Sequence, residues 1–278
     1  GMRAKYLRSL QENLKRRRLD LQGARGKALD PGTTGVLERA LRSPDAHEVL
    51  GALTLLPELE ELDLDPLVEP LLAHPTPLVR ARALEYFGHR RSLRYASAAY
   101  QRFEDPDPGV RAAAIDAFCA MGRDKAVRSV KAFLADPDPR IRAAAVTGMI
   151  RFGGLDGVLV AAEALKGLVE DPLPAMRVEA ARVLGAIGVR NFYQPVLQLM
   201  ADPELAVRRE AIAAAGALRG PEFILPLIYR SQARETMQEA LQALTAYGPA
   251  IIPTLGKALG NPAEDTAVRR SVARVLGR

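Results

Sequence analysis

One cysteine, three histidines and no tryptophan in 278 residues set several classes of protein aside at once. The lone Cys119 can close no internal disulfide and has no second thiol at zinc-binding spacing, so a stapled secreted domain is excluded and a cytoplasmic setting is the expectation. Aromatic residues make up only 5% of the chain, so its 48% apolar content rests on Ala, Leu and Val, side chains that suit closely packed helices. Long apolar runs are missing too: nothing approaches the roughly 18–20 residues that would span a bilayer, and no secretory h-region follows the basic start. The +6 net charge is unevenly placed. Residues 1–27 carry nine cations against Glu12 and Asp20, which leaves the rest of the chain at −1. A near-neutral body disfavours nucleic acid as a partner.

What the chain does have is a repeat. His74-Pro75-Thr76-Pro77-Leu78-Val79-Arg80 returns as Asp105-Pro106-Asp107-Pro108-Gly109-Val110-Arg111 and as Asp136-Pro137-Asp138-Pro139-Arg140-Ile141-Arg142. It returns again at Asp171 to Arg177 and at Asp202 to Arg208, so the arginines step by 31, 31, 35 and 31 residues. Fainter copies lie around Val49, Met237 and Arg269, for about eight units in all. Each Asp-Pro breaks one helix, and the residue two places on opens the next. Helix-period apolar residues follow, with Gly122, Gly153 and Gly188 eleven residues after their arginines, where left-handed C-caps are expected. Neither helix of such a pair can bury its apolar face alone, so neighbouring pairs must stack.

The spacing Asp105–Val110–Arg111, with its copies at Asp136–Arg142, Asp171–Arg177 and Asp202–Arg208, resembles the HEAT repeat family over about residues 33–278. The resemblance implies an all-α, right-handed α-α superhelix, a HEAT/armadillo-type solenoid of about eight helix pairs. It also implies that Asp105, Arg111, Asp136, Arg142, Asp171, Arg177, Asp202 and Arg208 form a structural ladder between units. Residues 1–32 are set apart as a basic N-terminal helix and linker, with Tyr6, Leu7, Leu10 and Leu14 at helical spacing. That segment is expected to cap the first repeat or to touch an anionic membrane.

Chemistry-bearing motifs are sparse. His47-Glu48 resembles the His-Glu pairs of a metal-dependent hydroxylase built from HEAT units, but one pair cannot complete a coordination sphere, so no metal or cofactor is expected. Gly153-Gly154-Leu155-Asp156-Gly157 lacks the Gly-Lys-Ser/Thr ending of a phosphate loop. Cys119 reads as a small core residue. A HEAT-like DNA glycosylase is disfavoured by the missing tryptophan. One cluster combines cations with aromatics: Arg82, Arg90, Arg91, Arg94 and Arg102 with Tyr95, a candidate contact for an acidic protein surface.

The resulting expectation is a non-catalytic protein–protein interaction scaffold, not an enzyme, working through the concave or edge surface of a bacterial, cytoplasmic solenoid. The alternative is a cytoplasmic regulatory domain of a larger membrane transporter or sensor. Two observations motivate it: the basic N-terminal run, which resembles the region after the membrane part of nucleotide-transporter-like fusions, and a last repeat that stops before its closing glycine.

Overall fold

The computed structural model describes residues 31–59, 63–188, 192–261 and 265–276, and among them every regular element is helical. The basic N-terminal segment, with its capping and membrane readings, lies outside the described residues. No described helix is long and apolar enough to cross a membrane. The chain divides into two units, Gly1–Val130 and Lys131–Arg278. Each is a stack of helix pairs of the all-α solenoid type, and the described helices make eight pairs along the chain. In the first unit, for example, the pairs include Ala96–Gln101 with Pro108–Gly122; in the second, Tyr193–Met200 with Leu205–Leu218.

The Asp-Pro turns work through both acidic positions. The first one folds the turn: Asp105, Asp136, Asp171 and Asp202 each accept the backbone N–H two residues on, at 2.8–3.0 Å. His74, which stands in that slot in its own repeat, does the same through Nδ1, accepting from Thr76 N at 3.1 Å. The second position starts the helix. Asp107 accepts from Gly109 N and Val110 N, and Asp138 from Arg140 N, with Pro108 and Pro139 at the first helical positions where no donor is lost.

The helix ends differ from the sequence expectation. Only Gly188 of the three expected caps is left-handed (φ 70°); Gly122 and Gly153 keep negative φ, and the positive φ falls one residue later, on Arg123 and Gly154. In two other repeats the eleventh residue after the arginine is itself an arginine, and Arg91 and Arg219 are left-handed there (φ 51°).

Glycine has a second use that the turn signals hid. Gly88, Gly185 and Gly216 each lie eight residues after the repeat arginine, and each faces an alanine of the next second helix. A Cβ on Gly88 would come within 2.9 Å of Ala117, on Gly185 within 3.1 Å of Ala214, and on Gly216 within 2.9 Å of Ala243. Successive second helices therefore touch backbone to side-chain stub. Cys119 fills the same slot after Arg111 and is buried. Burial, followed by the charge of Asp116, pushes its thiol up to about 12, which leaves it protonated and inert.

Candidate functional site: ladder and surface arginines

Two fork-to-fork rungs of the ladder form, both between residues 25 apart. Arg80 grips Asp105 with Nε and Nη2 at 2.9 and 2.7 Å, and Arg177 grips Asp202 at 2.6 and 3.0 Å. These are fork-to-fork pairs, the strongest geometry available to guanidinium and carboxylate. The remaining donor of each arginine ties down its own turn. Arg80 Nη1 donates to His74 O and Pro75 O, and Arg177 Nη1 to Asp171 O and Pro172 O. Arg111 and Arg208 hold their own turns in the same way, and Arg208 reaches Glu235 at 3.2 Å in place of an aspartate.

Burial pushes Asp105 and Asp202 up, but their arginine hydrogen bonds, the backbone donors and nearby cations outweigh it, so both lie below the ordinary carboxylate range. Hydrogen bonding to those carboxylates, opposed by burial, raises Arg80 and Arg177. The ladder is thus fully charged at neutral pH.

The expected ladder is incomplete: Arg111 bonds the carbonyls of its own turn, and Arg142 lacks even that. Arg142 meets no aspartate: its Nη2 points at the weak acceptor Met176 Sδ, 2.8 Å away, and its buried Nε has no hydrogen-bond partner. Length accounts for it: the two fork-to-fork pairs join residues 25 apart, whereas Asp171 lies 29 residues after Arg142, and four more helical residues displace it by about 6 Å.

A second row of ion pairs, not anticipated from the sequence, runs along the second helices of the Lys131–Arg278 unit. Arg182 bridges Glu179 at 2.6 Å and Glu210 at 3.3 Å, and Arg209 meets Glu239 at 3.0 Å. Burial raises the Glu179 pKa against the pull of Arg182. The signal was the glutamate two residues after Arg177 and Arg208, which recurs at Glu239.

The expected arginine cluster divides by burial and by acidic partner. Arg82 pairs with Glu85, and Arg90 reaches Asp65 at 3.2 Å. Arg102 is half-buried and helps hold Asp105 ionised. Tyr95 is no surface residue: it is 3% exposed, stacked on Phe87 with ring centroids 3.8 Å apart, and its hydroxyl donates to Glu69. Its place in the core comes from the aromatic pair, a contact that interleaving with arginines does not reveal. What remains outside is the face of the short stretch Leu93–Gln101. Leu93 and Tyr100 are 68% and 54% exposed, one heptad apart, with the exposed Arg94 lying over the Tyr95 ring at 5.5 Å and the exposed Arg91 just before them. Tyr100 is held from beneath by Phe103 and Phe118.

A family model of HEAT repeats matches residues 64–150, 96–172 and 161–244, well over half of the chain. The chain belongs to the HEAT-repeat family. A comparison with curated proteins finds no match. Among solved structures, the HEAT-repeat chain resembles the complex of CpcE and CpcF of phycocyanin lyase from Nostoc sp. PCC7120, at 17% identity and TM-score 0.51, covering 92% of this chain and 96% of that one. Human deoxyhypusine hydroxylase aligns at 16% identity and TM-score 0.44, over 88% and 95% of the two chains. YibA of E. coli aligns at 15% and 0.46, over 92% and 99%.

These likenesses concern fold, and the one to the lyase complex corrects the functional expectation. The sequence reading gives a non-catalytic scaffold, no enzyme, with a regulatory domain as its alternative; the same architecture occurs in a lyase complex, so the fold gives no ground for excluding an enzyme and that expectation does not stand.

Proposed function

We propose that this HEAT-repeat protein serves an enzyme that modifies proteins, and that it recognises an acidic, amphipathic segment of the substrate protein through the Leu93–Tyr100 face. The single observation that carries this is the pairing of two exposed apolar side chains one heptad apart with Arg91 and Arg94 beside them. An apolar stripe flanked by cations matches a helix that presents Leu-type residues with Asp or Glu alongside. The fold shared with a lyase complex supports placing such recognition in an enzymatic setting. The single cysteine, a free thiol, supports a reducing cytoplasmic location.

Fluorescence anisotropy tests the recognition. A labelled amphipathic peptide with Leu at helical spacing and Glu on its flanks should bind the intact chain, and Arg91→Glu with Arg94→Glu should weaken it by about tenfold or more. Both positions are exposed, so circular dichroism should show an unchanged fold. Equal affinity of the charge-reversed variant, or tighter binding of an oligothymidine of matched charge, would overturn the proposal.

A further inference from the structure

We infer a second docking surface, independent of the Leu93–Tyr100 face, on the helix Gly154–Val169, and that it takes an amphipathic helix with an apolar seam and basic flanks from another protein. This helix has 16 residues where its counterpart Tyr193–Met200 has 8, and it contains the extra length of the 35-residue step. The added turn is what takes Asp171 away from Arg142 and leaves the buried Nε without a partner. Lengthening the helix therefore costs a fork-to-fork rung of the kind that Arg80–Asp105 and Arg177–Asp202 keep. A local rule broken at a stability cost is expected where a surface is being used.

What the extra turn puts outside is an apolar seam. Leu155 and Leu159 are 74% and 66% exposed, the largest values among the exposed large hydrophobic side chains apart from Leu93. With the exposed Ala162 and Lys166 they step by four, three and four residues, the spacing of a and d positions in a coiled coil. Asp156, Glu163 and Glu170 recur every seven residues and all three are exposed; Asp156 and Glu163 each stand one place beyond a seam residue, and Glu170 is the C-cap of the helix. That puts a row of carboxylates along one side of the seam, where a partner helix would present its e or g residues. Asp156 also sits in the first helical turn, where negative charge is favoured, but Glu163 and Glu170 gain nothing from that end of the helix. The other side of the helix is committed: Gly157, Ala161 and Leu165 are buried, and a Cβ on Gly157 would run into the Met149 carbonyl, so the helix cannot roll to cover its leucines. Acidic flanks beside exposed leucines select lysine or arginine flanks on the partner and disfavour acidic ones.

A three-heptad peptide with leucine at a and d and lysine at e and g is the probe; the same peptide with glutamate at e and g is the control. The intact chain should bind the lysine peptide more tightly than the glutamate peptide by about tenfold. Leu155→Ser with Leu159→Ser should abolish binding of both, and Asp156→Lys with Glu163→Lys should invert the preference, while Arg91→Glu with Arg94→Glu should leave it unchanged. All these positions are on the surface, and unchanged ellipticity shows that the variants are folded. Equal binding of the two peptides, or retention of binding after loss of both leucines, would overturn the inference. Sedimentation of the chain alone gives a further check. Concentration-dependent association removed by the leucine pair would show that a second copy occupies the seam, which also overturns it.

Discussion

Replacing Arg80 by methionine should destabilise the protein by about 3 kcal/mol, the lower part of the range for breaking a buried ion pair from one side. The value follows from what each partner keeps. Asp105, with its side chain 3% exposed, loses both guanidinium bonds and retains only the Asp107 N–H, so a carboxylate stays buried and undercompensated. His74 O and Pro75 O lose their donor as well. The reverse truncation is milder: after Asp105→Leu, Arg80 still donates to those two carbonyls, and its side chain has 11% of its surface in water. A cost of about 2 kcal/mol is expected there, with about 2 kcal/mol recovered as coupling in the double variant. Urea unfolding followed by far-ultraviolet circular dichroism measures all three at unchanged slope. The chain contains no tryptophan to report by fluorescence. Equal costs for the two single changes, or a coupling near zero, would refute the account of the rung.

Three further outcomes follow from the same geometry. Gly216→Ala should cost about 1–3 kcal/mol because its new methyl meets Ala243, whereas Gly256→Ala, in a helix with open space around it, should stabilise by about 1 kcal/mol; thermal melts compare them. Arg219→Gly should raise stability by about 1 kcal/mol by relieving a left-handed side chain, measured in the same melts. On acidification the Asp105 and Asp202 contributions, complete above the unfolded carboxylate pKa of about 4, should fade as pH drops through their depressed folded values, and acid titration of Asp105→Asn should lack part of that loss. Glu179, raised by burial, has the opposite sign: its penalty, present above the folded value, is relieved as it protonates.

The Asp-Pro turns and the Asp/Arg pairing were legible because backbone-breaking residues and opposite charges recurred at a fixed period. The loss of the Arg142 rung was implicit in the 35-residue step, but only the helix Gly154–Val169 shows where the extra residues went. Gly88, Gly185 and Gly216 were hidden by the other meaning of glycine: a cap and a close approach carry the same letter, and three dimensions are needed to see Ala117, Ala214 and Ala243 opposite them. Tyr95 was placed outside because its neighbours in sequence are charged; its neighbour in space is Phe87. For the candidate surfaces, the sequence pointed to arginines and Tyr95 alike, whereas the structure sets Arg82 against Glu85 and Arg90 against Asp65 and buries Tyr95.

The lengthened repeat also shows what kind of change this architecture absorbs. Four residues add about one turn, so the inserted segment overshoots a full rotation by only about 40° and its greasy side still meets the same neighbours, as Gly157, Ala161 and Leu165 show by their own spacing of four. Adding two residues would swing that side to the solvent. Such chains should therefore grow and shrink between turns in helical quanta, and each quantum offers new outer surface while leaving the inner packing in phase.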